Sequence, residues 1–302
     1  MLPTLALVLL AAAPAWGGGQ LPVVTTSTDL KALVEAVGGN RVQVESLAPP
    51  LHDPHVVEVR PGQLAKLKDA ALLVRIGLDH EPWLARVLRS VKDPRFSLGS
   101  PHYLDTSKTI QLLQAETPRV RGERDVPHHG YGNSHYWLDP ENARPITKAI
   151  LDALARLAPS DRPYFEANRR RFLERLDADL ARWSRAMAPH RGTRVVVVHD
   201  TWPYFAQRFG LAVVAAVEST PGVPPSASYL ASLTQKMRET GVKLLIAEPY
   251  SNASVVSQVA ARSGARAVTL LPSVAGDPEA RDYLALFDLN IKRLTEALAA
   301  AR

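Results

Sequence analysis

The stretch RVVVVHDTWPYFAQRFGL, residues 194–211, decides the fold. Val195 to Val198 form an unbroken β-branched run, the pattern of a strand buried on both faces. Helical material, WPYFAQRFG, follows at once. A buried strand feeding directly into a helix is half of a βαβ unit. The same grammar repeats downstream. LAVVAAVE, VKLLIAEP and ARAVTLLP read as strands, and SASYLASLTQKMRETG, ASVVSQVAARSG and EARDYLALFDLNIKRLTEALAAA as the helices after them. Parallel sheets of this kind bind ligands outside the carboxyl ends of their strands. His199 stands at that end of its strand and is expected to face a cleft.

Upstream, Phe165, Phe172, Leu176, Leu180, Trp183 and Met187 recur at helical spacing and mark one face of a single long helix. Ser160 is the expected N-cap, with Pro163 in the first turn. The first half of the chain alternates again. LPVVTTST, RVQVESLAP and ALLVRIG read as strands, and DLKALVEAVGG and PGQLAKLKDA as helices. Residues 105–134 lack a strong period, and HHGYGNSH near their end is loop material. The expectation is an α/β fold of two lobes, 21–159 and 191–302. Each has a mainly parallel sheet flanked by helices. The helix 160–190 joins them, and the site lies in the cleft between lobes.

LPTLALVLLAAAPAW at the N-terminus is short, apolar and followed by small residues, with Ala13 and Ala15 in an A-x-A-like site. That pattern reads as a signal peptide over 1–20, although no Lys or Arg precedes the apolar run. Elsewhere no apolar run approaches the roughly 18 residues of a membrane helix. There is no cysteine, which excludes disulfides, thiolate metal ligands and the lipid-carrying Cys of a lipoprotein. A soluble, monomeric periplasmic protein with no stable membrane insertion is expected. The net charge of +6 is spread along helices in mixed company: Arg169, Arg170 and Arg171 sit with Glu166, Glu174 and Asp177. That is a solvated face, and no nucleic-acid partner is expected.

Two other histidines occupy informative places. His55 lies in LAPPLHDPHVVEVRP, a loop stiffened by Pro49, Pro50 and Pro54 after the second strand, with His52 beside it. His135 precedes YWLDPEN, where Asp139 can cap a helix starting at Pro140. Local metal patterns such as H-E-x-x-H are absent, and a lone loop histidine is more often a surface residue. Spacing alone leaves a three-histidine metal site as one reading among several.

Three motifs go further. HDPHVVEVRP, NSHYWLDPENA and VVVVHDTWPYFAQRFGL resemble, in order and spacing, the DPHxYEPxP, HxWLDPxNA and HDAFxYFxxRYGL segments of the metal-binding solute-binding proteins of bacterial ABC importers. This is the zinc and manganese family of ZnuA-type and TroA-type proteins, and the likeness spans essentially the whole mature chain. It implies that His55, His135 and His199 bind the metal and that His52 does not. It also implies a divalent ion as transported ligand and an ABC permease as partner. Three imidazoles favour Zn²⁺ over the harder Mn²⁺.

The sequence leaves the family pattern at the fourth ligand. Manganese members carry an Asp after the last strand, where this chain reads LLPSVAG. Glu248, ending the strand VKLLIAEP, is the expected metal ligand, with Glu218 of AAVESTPG or a water as alternatives. Glu248 could equally orient a ligand histidine. His128 and His129 stand where some zinc members have a His-rich loop. The alternative function is a zinc-dependent hydrolase using the same three histidines plus a water. No catalytic motif accompanies it, and no enzyme activity is expected.

Overall fold

The computed structural model describes residues 19–113, 132–218 and 224–301. The leader expected at 1–20 lies almost wholly outside the described residues, as do His128 and His129. Among the described residues one plan is used twice. First come β1 (Leu21–Thr25), α1 (Thr28–Gly38), β2 (Val42–Ser46), α2 (Pro61–Asp69), β3 (Leu72–Arg75), α3 (Leu84–Val91) and β4 (Tyr103–Asp105). They wind a parallel sheet of order β2-β1-β3-β4. Two helices follow, α4 (Ala143–Leu157) and α5 (Arg162–Met187). The plan then repeats as β5 (Arg194–Val197), α6 (Pro203–Phe209), β6 (Ala212–Ala216), α7 (Ala227–Glu239), β7 (Leu244–Ala247), α8 (Ala253–Ser263) and β8 (Arg266–Thr269), with α9 (Tyr283–Ala300) last. Its parallel sheet has the order β6-β5-β7-β8.

The valine run explains why β5 is central. Val195, Val196 and Val197 are fully buried, and Val197 pairs with Ala216 on one side and Ile246 on the other. In each sheet the winding direction reverses at the central strand. Clefts open at such reversals, beyond the carboxyl ends of the strands. The polar residues of interest follow those ends: His55 after β2, His199 after β5, Glu218 after β6 and Glu248 after β7.

α5 runs 26 residues, about 39 Å at 1.5 Å per residue. Its buried stripe is Phe165, Asn168, Phe172, Leu176, Leu180, Trp183 and Met187. At one end Asn168 Nδ2 donates to the Val37 carbonyl of α1, 3.0 Å away. At the other, Trp183 Nε1 donates to Asp288 of α9 at 2.7 Å. Gly39 lets α1 come this close: φ is 52° there, and a Cβ would stand 2.6 Å from the Tyr164 hydroxyl. The expected cap needs correction. Ser160 lies inside a 3-10 turn, Pro159–Asp161, and the residue at the N-cap is Asp161, without a side-chain cap bond. Pro163 sits in the first turn of the helix as expected.

The lobes also meet directly. The segment between β8 and α9 crosses to α1: Thr28 Oγ1 donates to the Val274 carbonyl at 2.8 Å, and the Val274 N–H donates to Asp29 Oδ1 at 3.0 Å. Trp137 Nε1 donates to the Pro272 carbonyl at 2.8 Å. Asp139 accepts both Nε and Nη2 of Arg208, at 2.7 and 2.8 Å. One hydrophobic cluster runs through this seam, from Val23 and Leu30 through Phe165 and Trp183 to Phe205 and Phe287.

Candidate metal centre

Three imidazoles converge in the cleft. His55 and His135 belong to the first lobe and His199 to the second. Their ligand atoms all lie within 4.8 Å of one another. His135 and His199 are buried, and His55 is half-buried.

Local structure sets each ring. Asp53 Oδ1 accepts the His55 N–H at 2.8 Å, a short Asx turn that fixes the backbone before the ring. The His80 carbonyl lies 3.0 Å from His55 Nδ1. A carbonyl can only accept, so Nδ1 carries the proton and Nε2 keeps its lone pair. For His135 the Asn133 amide decides. Its Nδ2 donates to the Asp200 carbonyl at 2.9 Å, so its Oδ1 is the acceptor for the His135 N–H at 2.9 Å and for Nδ1–H at 3.1 Å. For His199 the acceptor is Glu218 Oε2, 3.3 Å from Nδ1. Nε2 of His199 is buried and has no hydrogen-bond partner among the described residues. All three rings thus hold Nδ1 in a hydrogen bond and keep Nε2 for a ligand, the usual arrangement of metal-binding histidines.

The spacing fits one ion. His55 Nε2 and His135 Nε2 are 3.4 Å apart. Two nitrogens on one tetrahedral zinc, at 2.0–2.1 Å each, stand about 3.3–3.4 Å apart. Two lone pairs facing each other at that distance repel unless a cation lies between them.

The electrostatics differ between rings. Burial holds His55 below the ordinary imidazole range, against the opposing pull of Asp53. Burial also disfavours the charged form of His199. There the hydrogen bond that His199 donates to Glu218 and the charges of Glu248, Glu218 and Asp53 prevail, and its pKa is raised.

Neither candidate carboxylate belongs to the three-histidine group. Glu218 is the hydrogen-bond partner of His199. Glu248 is buried, and both its oxygens are engaged. Trp202 Nε1 donates to Oε1 at 2.7 Å and Ser251 Oγ to Oε2 at 2.8 Å. Burial raises its pKa, with His199 pulling the other way. His52 is exposed.

Sequence reasoning missed a fourth imidazole, His80, which is buried beside His55 and His135. Its signal was present: it follows the carboxyl end of β3, as His199 follows β5. The turn that carries it is strained. Gly77, Leu78 and Asp79 all have positive φ, at 87°, 55° and 56°. Buried Glu81 holds the turn, accepting from Thr26 Oγ1 and the Ile76 N–H at 2.6 Å each, and from Arg75 Nη2 at 2.9 Å.

This fold and cleft have known relatives. The family model described as zinc-uptake complex component A, periplasmic, matches residues 23–297. The chain is 28% identical over 265 residues to the high-affinity zinc uptake system protein ZnuA of Yersinia pestis, spanning 84% of this chain and 83% of that protein. Over 291 residues it is 26% identical to the ZnuA of Bacillus subtilis, spanning 93% and 88%. Among solved structures, a ZnuA crystal structure superposes with a TM-score of 0.76 at 24% identity, covering 92% of this chain and 98% of that one. The Pseudomonas aeruginosa solute-binding protein FpvC in complex with Mn²⁺ gives a TM-score of 0.79 at 22% identity, covering 94% and 100%. With a family match across nearly its whole length, the chain belongs to the periplasmic ZnuA family of zinc-uptake components.

Proposed function

We propose that this protein captures a divalent transition metal, Zn²⁺ foremost and Mn²⁺ second, in the periplasm and hands it to the permease of an ABC importer. The Nε2 atoms of His55, His135 and His199 hold the ion. The observation that carries this reading is the convergence of three imidazoles whose Nδ1 positions are all occupied, two with Nε2 atoms 3.4 Å apart. Membership in the zinc-uptake family supports it. Three neutral nitrogen donors suit Zn²⁺, whereas Mn²⁺ favours oxygen.

The lobes 21–159 and 191–302, bridged by the helix of 160–190, divide the ligands two to one, so the ion ties them together. Residues 1–20 serve as the export leader, and the mature protein acts as a monomer. No helix among the described residues is long and apolar enough to cross a membrane. Glu248 supplies negative charge to a site whose histidine ligands are neutral. Each Glu248 oxygen accepts one of these hydrogen bonds, from Trp202 or Ser251, and keeps a second lone pair, so Glu248 takes the fourth position itself, with Glu218 or a water as the alternatives. The hydrolase reading gains nothing from the geometry. The relatives of this chain are zinc-uptake proteins, which supports the carrier reading over a hydrolase.

The test is metal analysis of untagged protein purified without chelator, followed by Zn²⁺ and Mn²⁺ competition titrations. One bound Zn²⁺ per chain is expected, with His135→Ala and His199→Ala each weakening it at least a hundredfold. Stoichiometric zinc retained by the double variant would sink the assignment.

A further inference from the structure

His80 belongs to neither the ligand group nor the hydrophobic core, yet it is 1% exposed. Its ring meets His55 at a centroid distance of 4.5 Å and an interplanar angle of 62°, and His135 at 5.2 Å and 88°. Behind it, Trp137 closes the space at 4.9 Å and 77°. Its Nδ1 lies 3.0 Å from Ser134 Oγ, on the residue that precedes His135. Its own carbonyl accepts the Nδ1–H of His55. One residue therefore touches both first-lobe ligands, by ring and by backbone. It sits on a turn whose left-handed Leu78 and Asp79 cost conformational energy, and buried Glu81 pins that turn in place. Strained backbone persists where the surroundings over-determine it, and such places tend to carry function.

We propose that His80 is a positioning residue that wedges His55 and His135 at single-ion spacing before the metal arrives, and so favours Zn²⁺ over Mn²⁺. The inference rests on the three-histidine reading above. Without the wedge, the His55 ring keeps its Nδ1 bond to the His80 carbonyl but loses the packed face that limits its swing about that bond. Holding the pair in place removes an ordering cost from binding. It also fixes a nitrogen spacing that suits bonds of 2.0–2.1 Å. An ion that prefers oxygen and looser coordination gains less from that spacing. The imidazole is suited to the task because one ring supplies both a flat face and a polar anchor to Ser134.

The experiment measures Zn²⁺ and Mn²⁺ affinities by competition for wild type, His80→Ala, His80→Asn and His80→Phe. Metal-free melting temperatures and the visible spectrum of the Co²⁺ form accompany them. His80→Ala should weaken Zn²⁺ by about ten- to a hundredfold, the range for groups that orient metal ligands, and Mn²⁺ by about threefold or less. His80→Phe, which keeps the ring, should recover most of the zinc affinity. The Co²⁺ spectrum should keep the wild-type coordination number throughout. Should His80→Ala fail to fold, His80→Asn without a ring must still narrow the Zn²⁺ to Mn²⁺ ratio. An unchanged ratio in the ringless variants overturns the proposal. So does a Co²⁺ spectrum that loses a nitrogen ligand, because His80 would then be a ligand itself. His135→Ala is the control: if it binds zinc like wild type, the three-histidine reading has failed rather than this one.

Discussion

At the scale of single residues, the consequences follow from which atoms each carboxylate faces. Glu218 accepts from His199 Nδ1, so it fixes the tautomer that leaves Nε2 for the metal. Glu218→Gln should weaken Zn²⁺ about tenfold in a competition titration, the low end for a partner of a ligand histidine. The pH dependence has a definite sign. Protons compete with metal for imidazole, and the carboxylates around His199 raise its pKa above the ordinary value of 6.5. Zinc affinity should therefore begin to fall above pH 6.5 as the solution is acidified, and it should keep falling below. Removing the Glu218 charge should move that decline to lower pH. A titration from pH 8 to 5 on both proteins checks it, and coincident curves would mean that Glu218 does not govern His199. Asp29 is the second titrating residue of note. Burial pushes its carboxyl from 3.8 up to about 7. Between those values the folded chain holds a proton that the unfolded chain has released, so stability falls as pH rises through the window and the full loss is felt above 7. The effect is on the order of 4 kcal/mol. Asp29→Asn should flatten the pH 4 to 7 dependence of the metal-free urea midpoint, and an unaltered slope would show that Asp29 ionises normally.

At the scale of elements, the sequence was legible where burial imposes a pattern. The unbroken apolar runs of β3, β5 and β7 and the stripe of α5 declared themselves, because a strand covered on both faces or a helix packed along one face leaves little choice of residue. β4 did not: it is three half-buried residues at the edge of its sheet, too short to show a period. α3 went unread although Leu84, Val87, Leu88 and Val91 form an i, i+3, i+4, i+7 stripe, all four packed on one core cluster. The proposed first-lobe ligands came from motif resemblance, since His55 and His135 sit in loops where no periodicity speaks. His80 carried no motif, and only its place after β3 could have exposed it. The Glu248 reading had an electrostatic motive, and what sequence could not convey was that Trp202 and Ser251 donate to its oxygens and so fix its orientation. The loop of 47–60 makes its own prediction. Trp83 Nε1 donates to the Pro54 carbonyl at 2.9 Å and ties the loop to the start of α3. Trp83→Phe keeps the packing and loses that bond. It should cost about 1 kcal/mol of stability, read as a lower denaturation midpoint, and a small loss of zinc affinity.

At the scale of the whole molecule, α5 and the shared cluster join the lobes into one cooperative body. Metal-free protein should melt in a single calorimetric transition with matching calorimetric and van't Hoff enthalpies. Free Zn²⁺ at a thousand times its Kd should then add about 4 kcal/mol. Two resolved transitions would show that the lobes fold independently. The same union limits closure. With hydrogen bonds from Thr28, Asp29 and Trp137 already stitching the seam, metal-free and zinc-loaded forms should give nearly the same scattering radius. A lobe swing on binding would appear as a clear contraction. If the lobes stay put, the clock of the protein is the loop of 47–60, which carries His55, the one proposed histidine ligand that is not fully buried. Residence time then depends on how often His55 lifts away, a unimolecular event that chelator concentration does not hasten. Pro49, Pro50 and Pro54 slow that event by stiffening the chain. Stopped-flow release into excess chelator should plateau at a rate set by the protein, and Pro49→Gly with Pro50→Gly should raise the plateau severalfold while capture stays as fast. The receiving permease would gain its cargo by prying one loop, at a pace the carrier alone does not reach.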